Sequence, residues 1–194
     1  MVMVINLVAS KIAKNIGIIS RIAYLLPAYI FKTLYYSMIY PYLSYCNLIW
    51  ASNYSSRLQR INVLQNRFIR IICRKTKLDT PLNTNCIQIL SIKNINALQI
   101  NLFMFKYSRN QLPICFNNYF TNTCSVNPYK IRTNLNLRPI FCRTRARQFS
   151  LKYLGPQTWN FTPLEIRSLA SIRGFKKNYI DYLLGSKSIM QTNY

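Results

Sequence analysis

Apolar residues recur at three- and four-residue steps through the first half of the chain, the spacing of helices that each bury one face. In VINLVASKIAKNIGIISRIAYLL, residues Ile5, Val8, Ile12, Ile16, Ile19 and Ile22 fall on one side, and Pro27 ends the run. A second helix is expected from about Tyr29 through an uncharged stretch, with a kink at Pro41. The cluster SNYSS then offers caps for a third. In that third segment, RLQRINVLQNRFIRIICRK, residues Leu58, Ile61, Leu64, Phe68, Ile71 and Ile72 share one face at about 100° per residue. Arg60, Arg67, Arg70 and Arg74 fall on an adjoining face, while Arg57 projects to the apolar side and stays solvated at the helix entrance.

The pattern breaks at KLDTPLNTN, whose Asp, Pro, Asn and Thr residues mark a loop. Another helix is expected over Ile92 to Ser108, closed by QLP, followed by a polar, aromatic and irregular run from Pro113 to Pro128. A final helix near Ser171 to Leu184 turns Ile172, Phe175, Tyr179 and Leu183 inward and Arg173, Lys177 and Asp181 outward. The expected fold class is mainly α: a helical bundle over 1–112, a basic aromatic loop-rich segment over 113–156 and a helical C-terminal segment over 157–194.

Thr33 to Ser56 runs for 24 residues without a charge and carries six tyrosines. That length suffices to cross a bilayer, but Pro41, Ser37, Ser44, Asn47 and the phenols would each need a partner in hydrocarbon. Tyrosines belong mainly at the membrane interface, so the stretch reads as helix docked on neighbouring helices, with no membrane expected.

Charge changes the picture most. Twenty-six Lys and Arg face three acids, Asp79, Glu165 and Asp181, for a net charge of +23. Self-repulsion at that charge opposes compaction, so a polyanion is the expected partner, nucleic acid first and an anionic membrane surface second. The chain has no histidine, which removes Ser-His-Asp and Cys-His catalysis and most zinc sites. Three dispersed acids do not make a two-metal carboxylate cluster, and four glycines make no phosphate-cradling loop. Standing alone, the chain is not expected to be an enzyme or to bind a cofactor or metal.

Six cysteines, at 46, 73, 86, 115, 124 and 142, show no C-x-x-C spacing and read as small core residues in a reducing compartment. The opening MVMVINLVASK lacks a basic n-region, so nuclear or cytoplasmic location is expected rather than secretion. In YKIRTNLNLRPIFCRTRARQFSLKY, residues Lys130, Arg132, Arg138, Arg143, Arg145, Arg147 and Lys152 alternate with aromatics, a composition suited to phosphate neutralisation and base stacking. Anchoring of a long loop by its aromatic rings is the competing reading. The candidate nucleic-acid-binding residues are Arg57, Arg60, Arg67, Arg70, Arg74, Lys75, Arg143, Arg145, Arg147 and Lys152.

The succession KNIGIISRIAYLLP, LYYSMIYPYLSYCNLIW, LQRINVLQNRFIRII, LFMFKYSRNQLP, IRTNLNLRP, RTRARQFSLKYLGPQTWN and IRSLASIRGFKKNYIDYLL resembles the segment after the palm in reverse transcriptases of jockey-like non-LTR retrotransposons. It covers roughly residues 10 to 184, and its order is more specific than any one block. The resemblance implies an RNA-directed DNA polymerase as parent protein, whose palm carries catalytic aspartates, including a Tyr-x-Asp-Asp-type pair, that hold magnesium. The match begins after those motifs, so no catalytic residue is carried over. What remains resembles the thumb, helices that grip the primer-template duplex, and implies backbone contact by Arg57, Arg60, Arg67 and Arg70. The implied partners are RNA or an RNA-DNA duplex and the palm. Ala51 stands where glycine is common after IW, Thr162 stands where leucine is common, and the Cys/His knuckle of some relatives is not in this sequence. The alternatives are a basic membrane-associated protein and a non-functional relic of a mobile element.

Overall fold

A computed structural model describes residues 2–27, 29–76, 89–123 and 136–185. The chain is mainly helical and divides into two compact units, Met1–Asn96 and Ala97–Tyr194. This boundary falls inside a helix, away from the limits of the regions expected at 1–112, 113–156 and 157–194.

In the first unit, α1 (Val2–Ile22) packs against α5 (Ser55–Thr76) and buries Ile5, Val8, Ala9, Ile12, Ile16 and Ile19. Full burial of an isoleucine contributes about 1.5–3 kcal/mol, so this stripe is the main apolar seam of the unit. Ile22, expected on the same face, is exposed because the helix ends at that residue.

The uncharged stretch does not form one continuous helix. It is divided into α2 (Ile30–Leu34), a π-helical turn (Tyr35–Ile39), α3 (Tyr40–Ser44) and α4 (Asn47–Trp50). The expected kink at Pro41 thus takes the form of a widened turn ahead of the proline. Pro41 has no N–H, and its ring crowds the carbonyl four residues back. The backbone responds by bonding Tyr40 N–H to the Tyr35 carbonyl, five residues back. Asn15 of α1 donates its side-chain amide to the Met38 carbonyl at 2.6 Å, which satisfies a group within this disturbed turn.

Cys46 holds a left-handed backbone (φ 48°), and the corner it makes is tied by side chains. Asn47 donates to the Leu43 carbonyl at 2.7 Å, and the Trp50 indole N–H donates to the Tyr45 carbonyl at 2.8 Å.

On α5 the buried positions are Leu58, Ile61, Gln65, Phe68, Ile69, Ile72 and Cys73. Leu64 and Ile71, expected on the apolar face, are half-buried at its edge. Gln65 lies among the buried apolar residues because its amide is fully used. It donates to the Tyr35 hydroxyl at 3.0 Å and to the Leu90 carbonyl at 2.6 Å, joining three separated pieces of chain.

The helix α6 (Ile92–Ser108) has the bounds expected of it. Its end explains the asparagine in RNQLP. Asn110 is left-handed (φ 52°), its N–H bonds to the Tyr107 carbonyl, and Gln111 N–H reaches the Lys106 carbonyl, the paired bonds of a Schellman stop.

The second unit then forms a 3₁₀ turn (Ile114–Phe116), a two-stranded antiparallel ribbon of β1 (Thr121–Asn122) and β2 (Leu137–Arg138), and four helices among the described residues. These are α7 (Arg145–Gln148), α8 (Leu151–Phe161), α9 (Leu164–Arg167) and α10 (Ile172–Gly185). The helix α8 begins inside the segment expected to be loop-rich. Phe175 is central to the core, with ring centroids 4.6 Å from Phe105, 5.9 Å from Trp159 and 5.7 Å from Tyr179. Phe175, Tyr179 and Leu183 are buried as the periodicity predicts, while Ile172, at the helix entrance, is exposed. Asn160 clamps β2, donating to the Leu137 carbonyl at 2.8 Å and accepting from Leu137 N–H at 3.1 Å.

Candidate nucleic-acid interface

The cationic surface of the first unit is built by the same periodicity that builds its core. At about 100° per residue, Arg60, Arg67, Arg70 and Arg74 fall within roughly 80° of one another on α5. Their stripe lies opposite the buried face rather than beside it, a correction to the adjoining position expected. All four side chains are exposed. The stripe is about 21 Å long at about 1.5 Å rise per residue, a length over which one duplex strand presents about six phosphates.

Arg57, also exposed, sits apart from the stripe, with its guanidinium over the Tyr54 ring at 5.6 Å. Arg60 Nη1 donates to Asn6 Oδ1 of α1 at 3.4 Å. Among the described residues of the first unit there is no carboxylate, since Asp79 lies outside them and Glu165 and Asp181 belong to the second unit. Exposed arginines with no acid beside them on the helix leave the stripe's field uncompensated and suited to phosphate oxygens. Lys75 follows on α5, and its side chain is outside the described residues.

A row of amides borders the arginines. Gln59, Asn62 and Asn66 of α5 line a cavity of about 360 Å³ together with Ser91 and Lys93. Neutral hydrogen-bonding groups and phosphate-binding cations therefore lie on adjacent faces of one helix. Amide and cation side by side suit sugar and phosphate contacts along a strand.

The second unit presents its basic residues differently. Arg143, Arg145, Arg147 and Lys152 are exposed, but Arg145 and Arg147 are two apart on the four-residue α7 and therefore face away from each other. The Lys152 ammonium stands over the Tyr119 ring at 5.2 Å, and Phe141 is almost fully exposed beside Cys142. This is a scattered basic-aromatic surface in place of an aligned stripe. Lys130 and Arg132 lie outside the described residues.

Two cations that a charge count would add to the surface are structural. Arg109 donates to the carbonyls of Ser168 and Leu169 at 3.2 and 2.7 Å, and Arg167 donates to Asn136 Oδ1 at 3.3 Å while its guanidinium lies 6.0 Å from the Trp159 ring centroid. Burial pulls the Arg167 guanidinium pKa down. Among the described residues no three Cys, Asp or Glu side chains converge as a metal site would require. No protein-family model, curated protein or solved structure matches the chain.

Proposed function

We propose that this chain is a nucleic-acid-binding module of the thumb type found beside reverse-transcriptase palms, gripping the backbone of RNA or an RNA-DNA duplex. The single observation that carries the proposal is α5: one face buried, the opposite face a run of aligned arginines with no acid on the helix. The ordered sequence blocks, from KNIGIISRIAYLLP to IRSLASIRGFKKNYIDYLL, support the narrower assignment to the region after the palm of a non-LTR retrotransposon polymerase. The chain itself supplies no polymerase chemistry, since its three acids are too dispersed to hold two metal ions. A palm, and the magnesium it binds, would be contributed by the parent polymerase.

The test is fluorescence anisotropy with a labelled RNA-DNA duplex across a salt series. Affinity falls with log salt at a slope near about −0.9 for each duplex phosphate neutralised, and changes little between unrelated sequences. Binding that ignores salt, no binding at low ionic strength, or metal-dependent nucleotide incorporation by this chain contradicts the proposal.

One observation favours a second reading, attachment to a membrane. Val2–Ile22 is long and apolar enough to cross a bilayer, with Val2, Met3, Val4 and Leu7 exposed. Retention of the chain in the pellet after alkaline carbonate extraction selects that reading, and release opposes it.

A further inference from the structure

A cavity of about 730 Å³ opens in the second unit between the end of α6, the turns that follow it and Trp159 of α8. In a chain with 26 Lys and Arg, no charged side chain lines it among the described residues. Its walls are amides and rings, chiefly Asn110, Asn117, Asn118, Tyr107, Phe116 and Trp159. The rings are set by edge contacts, Phe116 on Phe103 at 5.2 Å and Tyr107 on Phe120 at 4.8 Å, so one wall is preformed.

Backbone needs account for two of the four asparagines that line it, Asn110, Asn117, Asn118 and Asn122. Asn110 and Asn118 hold left-handed conformations (φ 52° and 59°), which asparagine tolerates. Asn117 is ordinary extended backbone (φ −60°, ψ 134°) and owes nothing to that requirement. Among the described residues, the side-chain amides of Asn110, Asn117 and Asn118 make no hydrogen bond to protein, whereas Asn122 of the same lining and Asn101 and Asn160 elsewhere in the unit are engaged.

An uncharged lining does not select phosphate or carboxylate. Paired amide donors and acceptors beside aromatic rings match the edge and the apolar plane of an unpaired nucleobase. We infer that this cleft receives a base from a single-stranded segment of nucleic acid. The inference rests on the proposed function and deepens it, since it adds base recognition in the second unit to backbone recognition in the first.

The experiment compares the full chain's affinity for a short single-stranded RNA and for an abasic strand of the same length, each over a salt series. Stacking and edge contacts at one base give the base-bearing strand an advantage of about tenfold or more. The double variant Asn117→Ala, Asn118→Gly keeps the left-handed turn, removes two amides, and is expected to bring the two affinities close together with the salt slope unchanged. Asn110→Gly, which also spares its backbone, is expected to shrink the advantage by itself. Equal affinity of the wild-type chain for both strands, with a steep salt slope, overturns the cleft as a base site and leaves the backbone reading standing. A base preference that persists in both variants overturns it as well. Failure to bind either strand at low salt overturns the proposed function, and this inference with it.

Discussion

Gln65 shows how one polar side chain can join an otherwise apolar interior. It is buried between Ile61 and Phe68 on α5 and holds both the Tyr35 hydroxyl and the Leu90 carbonyl. Gln65→Ala leaves a buried carbonyl and a buried phenol short of partners, each costing about 1–3 kcal/mol. A loss of about 2–6 kcal/mol in chemical denaturation is expected, and an unchanged midpoint would remove Gln65 from this role. Tyr179 supplies a second residue-scale prediction. Burial pushes its phenol up to about 12, more than its hydrogen bonds with Asn101 and Thr162 pull it down, and burial raises Tyr35 as well. Both folded-state values lie above the ordinary tyrosine value of 10.0, so the fold favours the neutral phenols. Their contribution to stability is complete below about pH 10 and is lost as pH rises through the folded-state values. Phenolate absorbance followed with pH is expected to show late-titrating tyrosines, and Tyr179→Phe to remove one of them.

At the scale of elements, helices were easier to read than their interruptions. Periodicity located α1, α5 and α10 because each buries one continuous face, whereas α6 buries residues on most of its sides and ends where its asparagine stop lies. The division of the tyrosine-rich stretch was less legible. Pro41 signalled a kink, but the π turn ahead of it also carries a hydrogen bond from Asn15 of a different helix to the Met38 carbonyl, a tertiary contact that no local pattern announces. The left-handed corner at Cys46 was equally hidden, since cysteine is not a residue that marks such a turn. Relief of that backbone strain leads us to expect Cys46→Gly to be neutral or stabilising by up to about 1 kcal/mol, measured as a denaturation midpoint. Gly155 behaves in the opposite sense. A Cβ there would lie 2.8 Å from Met104 Sδ and 3.2 Å from the Phe120 ring, so Gly155→Ala is expected to cost about 1–3 kcal/mol by overpacking.

The whole molecule carries its charge in two distinct arrangements. The arginine stripe of α5 was legible because the spacing that creates a buried face also fixes the face opposite it; its placement across from the core needed the burial of Gln65 and Ile69 to be known. The basic-aromatic segment was legible only as composition. Arg145 and Arg147 diverge, and the uncharged cleft between Tyr107 and Trp159 assembles from residues far apart in the chain. The central claim is that aligned arginines on α5 bind nucleic-acid phosphates. The measurement that tests this most directly is the salt dependence of RNA-DNA duplex binding for the wild-type chain and for a variant with Arg60, Arg67, Arg70 and Arg74 all changed to glutamine. Because these side chains are exposed and opposite the core, the variant is expected to unfold at the same denaturant midpoint as wild type. Its log-log salt slope is predicted to be shallower by about 3.6, from about 0.9 for each of the four phosphates that the variant leaves unneutralised, with much weaker binding at low salt. An equally stable variant that binds with the wild-type slope and affinity would contradict the claim.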